Sequence, residues 1–149
     1  MGLAARRLKT YINKTRYQKY KDKSLPFATN EEYRTDNGEF VRSKNECMFA
    51  NKLKEMGIPY IYEVNLRNAA RPDFTLFIGE EVIHIELLGM MNGEDYREDL
   101  EIKKYSYSEM KIHPVYIDMT YGVDTKKLEA IILCIVNGRL KGETVSCRP

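Results

Sequence analysis

Residues 71–90 read RPDFTLFIGEEVIHIELLGM, and they divide at Gly79-Glu80 into two apolar, β-branched runs. Pro72 to Ile78 is predicted as one strand and Val82 to Leu88 as the next, because Val, Ile, Phe and Thr suit a pleated surface. Gly79 at the turn favours a tight antiparallel hairpin. Side chains alternate between the faces of a strand. Glu86 therefore shares a face with Val82, His84 and Leu88, and Asp73 shares one with Thr75 and Phe77. Both acids stand at the open end of the hairpin, where they can converge.

Upstream lies VRSKNECMFANKL, residues 41–53. Ser43 is placed to cap a helix, with Glu46 three residues on as in a capping box. The helix is predicted to run to about Met56 and to end at Gly57. Its apolar positions are Phe49, Ala50, Leu53 and Met56, and Glu46 shares their face. Either the capping box satisfies Glu46 locally, or the acid turns inward for a purpose. Residues 58–66, IPYIYEVNL, read as a strand. Residues 24–40 read as linker and turn.

Downstream, Gly89 breaks the hairpin's second strand. Residues 94–111 are predicted as a helix with acids in its first turn, as the helix dipole favours. Tyr96, Leu100, Lys103, Tyr107 and Met110 form one stripe along it. Lys103 thus sits where an apolar residue is expected. It needs an acidic partner, or it packs its stem and snorkels its ammonium to water. Lys104 falls on the polar face with Arg97, Glu101 and Ser108. Pro114 to Thr120 reads as a fourth strand, and Asp124 caps a last helix bearing Leu128, Ile131, Ile132, Ile135 and Val136. The tail to Pro149 has no pattern. The order α, β, β, β, α, β, α implies a mixed sheet flanked by helices, in the α/β class.

The chain has 149 residues, 43% hydrophobic and 31% charged, enough for one buried core. No apolar run reaches membrane-span length, so no membrane partner is expected. The start, MGLAARRLKTYINK, lacks the apolar core of a signal peptide, so a cytoplasmic location is expected. Cys47, Cys134 and Cys147 have no metal-ligand spacing and read as reduced thiols. The net charge of +2 hides an asymmetry: residues 1–25 carry +7, which leaves −5 for the rest. A basic arm on an acidic body suggests a polyanion partner, or a solvated tail. Tyr11, Tyr17 and Tyr20 interleave with the charges, which favours nucleic acid through stacking. Arg6, Arg7, Lys14 and Arg16 are the arm's candidate contacts. The division expected is a basic arm and linker over 1–40 and a folded domain over 41–149.

Two convergent carboxylates with an exposed carbonyl suit Mg²⁺, which prefers oxygen ligands and keeps several waters. Close acids repel unless a cation or proton neutralises them. The alternative is a pair of solvated strand ends. His84, on the same face, reads as a supporting or packing residue rather than a ligand.

Glu46, then Pro72-Asp73, then Glu86-Leu87-Leu88 resembles the PD-(D/E)xK, or restriction-endonuclease-like, nuclease superfamily over about residues 41–136. The blocks VRSKNE, GIPYIYE, RPDFTL and IELLGM, followed by Tyr96, Lys103 and Tyr107, are similar to a bacterial and phage subgroup with E-x-L-G-M in place of E-x-K. In that subgroup the active-site lysine has moved to the following helix, which here carries Lys103; Leu88 holds its usual place. Lys44 is a variant position, but it lies off the face of Glu46.

The resemblance implies an αβββαβ core and Mg²⁺ bound by Asp73, Glu86 and the main-chain carbonyl of Leu87, with Mn²⁺ able to substitute. Glu46 would hold the metal through water or bind a second one. Lys103 would orient or deprotonate the attacking water and stabilise developing charge. Arg42, Lys44, Arg71, Tyr96 and Tyr107 would contact phosphates, though each also reads as packing or surface charge. The function implied is a DNA endonuclease in phage or mobile-element DNA processing or repair, bacterial or phage-encoded. RNA is a further substrate class, and a homodimer suits cutting of both duplex strands. Two other readings stand beside it. One is a noncatalytic nucleic-acid-binding module of the same fold, with Leu88 marking lost chemistry. The other is an interaction domain whose acids only stabilise the sheet.

Overall fold

A computed structural model of the chain describes residues 33–66, 70–89 and 94–149. The arm candidates Arg6, Arg7, Lys14 and Arg16 lie outside the described residues. The elements, in chain order, are β1 (Tyr33–Arg34), β2 (Phe40–Val41), α1 (Lys44–Glu55), β3 (Tyr60–Tyr62), β4 (Phe74–Ile78), β5 (Glu81–Leu88), α2 (Glu94–Glu109), β6 (Val115–Asp118), α3 (Thr125–Val136) and β7 (Thr144–Ser146). Five of the strands form one mixed sheet in the order β3-β4-β5-β6-β7. The first three are antiparallel neighbours, and β5, β6 and β7 run parallel. The expected α/β class and helix-flanked mixed sheet are present.

The β4–β5 hairpin turns through Gly79 and Glu80, with Ile78 opposite Glu81. Gly79 has a φ of 61°, and glycine is the residue that takes positive φ without steric cost at the first turn position. Phe74, in β4, is the hub of the main core. Its ring stands 5.0 Å from Phe49, 5.5 Å from Tyr60 and 5.3 Å from Tyr62. That core joins the apolar faces of α1 and α3 to one face of the sheet. The other face carries α2, whose Leu100 packs with Leu88 and Tyr116.

Helix α1 starts at Ser43, whose hydroxyl accepts from the Glu46 N–H at 3.1 Å. It ends on Gly57, with a φ of 73°. The Gly57 and Ile58 N–H groups return to the Lys54 and Leu53 carbonyls at 3.0 and 2.9 Å, a closed cap of the Schellman type.

The structure differs from the sequence reading at three places. Residues 33–41, read mostly as connecting segment, form the β1–β2 hairpin. It is tied to α1 by the Asp36 N–H on Asn51 Oδ1 at 2.8 Å and by the Lys54 ammonium on the Asp36 carbonyl at 2.9 Å. A boundary at residue 41 falls inside this hairpin. The strand expected over 58–66 is cut to Tyr60–Tyr62, because Glu63 takes a φ of 53°. The patternless tail holds β7, which pairs with β6 through Tyr116↔Thr144 to Asp118↔Ser146.

Candidate functional site

The site forms where β4 begins and β5 ends. Phe74 pairs with Ile85, so Asp73 and Glu86 are the next opposite pair. Pro72 has no N–H to continue the ladder. Asp73 takes over: its Oδ2 accepts the Leu87 N–H at 2.7 Å. That bond fixes the carboxylate beside Glu86.

Glu86 is buried. The Lys103 ammonium donates to its Oε1 at 2.9 Å and lies 2.8 Å from its Oε2. The Tyr107 hydroxyl donates to the same Oε2. Lys103 and Tyr107 are one helical turn apart on α2, so the stripe read from the sequence meets the hairpin acid. Leu88, where the resemblance would expect a lysine, is buried against Leu100 and Tyr116. Lys104 points elsewhere, with its ammonium 5.3 Å from the Tyr116 ring centroid and 3.8 Å from Glu101.

Glu46 arrives from α1. Its Oε1 accepts the Arg42 N–H at 2.9 Å and the Tyr62 hydroxyl at 2.7 Å. Only half of the capping box is present: Ser43 caps the Glu46 N–H, while the Glu46 carboxylate faces the site.

Glu63 was not singled out by the sequence reading. It is 2% exposed. Its left-handed backbone, costing a non-glycine residue roughly 1–2 kcal/mol, is held by its N–H on the Asp73 carbonyl at 3.0 Å. Arg71 lies 3.2 Å from its Oε1. Its Oε2 lies against the Arg42 guanidinium but has no hydrogen bond of acceptable geometry among the described residues. Glu46, Glu63 and Asp73 each offer an oxygen within 4.8 Å of the others. Asp73 thus stands between two groups, with Glu86 and Lys103 on one side and Glu46 and Glu63 on the other.

The electrostatics follow from this crowding. Burial, and then the charge of Glu86, push the Asp73 carboxyl up to about 8. Burial and then Asp73 raise Glu46. Burial alone would lower Lys103, but Glu86 and Asp73 outweigh it and hold the ammonium above its usual range. The site is therefore a set of buried oxygens with too few positive charges to keep them all ionised. Hard oxygens in that state fit a divalent cation, which would replace the retained proton. A cavity of about 640 Å³ opens onto them, lined among others by Arg42, Glu46, Asp73, Glu86, Leu87, Tyr96 and Lys103.

Other expected residues fall as follows. Tyr107, named with the phosphate contacts, is 1% exposed with its hydroxyl on Glu86. It supports the acid and faces no solvent. Tyr96 donates to the Leu87 carbonyl at 3.4 Å and accepts from the Gly89 N–H at 3.3 Å, so its hydroxyl marks the carbonyl that the resemblance assigns to the metal. His84 meets Thr75 across the hairpin at 2.8 Å. Lys44 is exposed and does not line the cavity. Arg71 is half-buried and bound to Glu63. The described cysteines are free.

The chain is 43% identical over 76 residues to uncharacterized protein MJ1519 of Methanocaldococcus jannaschii. That match covers 49% of this chain, which spans 6% of the archaeal protein's length. No family model matches the chain. No solved structure matches it. Among the described residues, no helix is long and apolar enough to cross a membrane.

Proposed function

We propose that the chain is a Mg²⁺-dependent DNA endonuclease with a restriction-endonuclease-like core. The observation that carries this reading is the Lys103 ammonium seated on Glu86 beside Asp73. The element order from α1 to β6, a helix, three antiparallel strands, a helix and a parallel strand, fits that core.

Asp73, Glu86 and the Leu87 carbonyl would hold Mg²⁺, with Glu46 in contact directly or through water. The bound cation would supply a nucleophilic water at neutral pH and cover charge on the phosphate. Lys103 remains protonated beside Glu86, so it orients the water and faces developing negative charge as an ammonium. Glu46, whose carboxyl is raised by burial and by Asp73, is suited to receive the water's proton. Tyr62 and the Arg42 N–H hold Glu46 Oε1, and Tyr107 holds Glu86 Oε2. The cavity beside these groups takes the backbone phosphate, and the basic arm over residues 1–25 adds sequence-independent attraction.

Purified chain with Mg²⁺, or with Mn²⁺ in its place, is expected to nick or cut DNA. Asp73→Ala and Glu86→Ala are expected to abolish cutting. Full activity in Asp73→Ala would overturn the reading. Parallel DNA and RNA substrates decide the polymer. The burial of Leu88 at the usual lysine position favours a second reading, a noncatalytic nucleic-acid-binding module. Salt-sensitive DNA binding in EDTA, with no scission in Mg²⁺, would select it.

A further inference from the structure

Arg42 occupies a position that the proposed metal chemistry leaves unexplained. Its guanidinium nitrogen lies against Glu63 Oε2, 3.8 Å from Glu46 Oε2 and 4.0 Å from Asp73 Oδ1. One cation therefore faces three carboxylates whose oxygens lie within 4.8 Å of one another. Glu46 Oε1 is already taken by Tyr62 and the Arg42 N–H, and Asp73 Oδ2 by the Leu87 N–H. The guanidinium thus faces the second oxygens of Glu46 and Asp73, two of the proposed metal-holding residues.

We infer that Arg42 is a resident counter-ion that competes with the divalent cation for Glu46 and Asp73, so that loading the site exchanges one cation for another. This rests on the metal-binding reading proposed above. Three features fit an exchangeable role. The Arg42 side chain is 58% exposed, so the guanidinium has solvent to move into. Arg71 holds the other oxygen of Glu63, so Glu63 keeps a partner when Arg42 leaves. Arg42 also lines the cavity beside Glu46 and Asp73 and another of about 300 Å³ lined by Arg71 and Lys103. A displaced guanidinium therefore stays next to the space assigned to the phosphate, where its planar fork suits phosphate oxygens.

The geometry separates competition from simple charge. Arg42 and Arg71 both pair with Glu63, but only Arg42 also reaches Glu46 and Asp73. Arg42→Gln and Arg71→Gln remove the same charge at similar places.

The test is calorimetric titration of the full chain with Mn²⁺ at pH 8 without DNA. Arg42→Gln should bind Mn²⁺ roughly tenfold more tightly than wild type, given the Coulomb energy of a charge about 4 Å away, and clearly more tightly than Arg71→Gln. Arg42→Lys, which keeps the charge but loses the fork, should fall between wild type and Arg42→Gln. It carries the test if Arg42→Gln does not fold, and wild-type affinity in Arg42→Lys would then overturn the proposal. Equal affinities in Arg42→Gln and Arg71→Gln would also overturn it while leaving the metal site standing. No Mn²⁺ binding by any of these proteins would overturn both the competition and the metal reading beneath it.

Discussion

The Lys103 ammonium of α2 lies within 2.9 Å of both carboxylate oxygens of Glu86 on β5. A residue from a helix thereby reaches an acid on the preceding strand, and Leu88 is left free to pack in the core. The pair explains why a lysine stands in an otherwise apolar stripe.

Lys103→Ala is expected to lower single-turnover DNA cleavage by roughly 10²–10³-fold, the scale for losing a positioned charge or proton-transfer group. Lys104→Ala should stay close to wild type, because Lys104 packs on Tyr116 away from the acids. Equal losses would reject a lysine transferred to the helix. A thermal melt should accompany the assay, since Glu86 loses a buried ion pair.

Asp73 makes stability depend on pH when no metal is present. Its folded-state value of about 8 exceeds the ordinary carboxyl value of 3.8, so the folded chain holds the extra proton between them. Stability from this group is present below about pH 4 and is lost as pH rises through 8. In EDTA at pH 8.5, Asp73→Asn should melt on the order of 5 °C above wild type, and the gap should close toward pH 4. A constant gap across that range would contradict the linkage.

The same proton must leave when a cation binds. Calorimetry at pH 7 in buffers of different ionisation heat should find close to one proton released per Mg²⁺. Apparent affinity should rise up to about tenfold per pH unit below pH 8, then level off. Affinity independent of pH between 6 and 8 would place the metal away from Asp73.

Tyr107→Phe removes the hydroxyl that donates to Glu86 and keeps the ring. The expected loss is about 1.5–3 kcal/mol of stability, as for a buried hydrogen bond to a charged group. DNA affinity in EDTA should not change, because the side chain is buried. Denaturant melts and a filter-binding titration check the two halves.

Gly57→Ala should destabilise by about 1 kcal/mol, because Gly57 closes α1 at a φ of 73°. Urea unfolding measures it.

Much of this site could be read from local pattern. The hairpin pattern puts Asp73 and Glu86 together at its open end, and the α2 stripe isolates Lys103 among apolar positions. Glu63 left no such trace. In YIYEV it looks like an ordinary polar position, and only its left-handed backbone and the packing of two arginines turn it inward. The β1–β2 hairpin was hidden because two-residue strands are too short for alternation to show. Strand β7 was hidden because it is an edge strand whose partner, β6, lies a helix away in sequence. Tyr107 looked able to touch phosphate because an aromatic residue beside a lysine carries no mark of whether it faces inward.

Strands β5 and β6 run side by side in the same direction, so the chain must traverse the sheet between them, and α2 is part of that passage. The hairpin can close early from nearby residues, whereas the crossover needs distant segments to meet. A chain caught partway, on the ribosome or in transient unfolding, would hold its acidic half without the ammonium. On the proposed reading such a chain lacks the cation that faces the phosphate, so completing the crossover also completes the site.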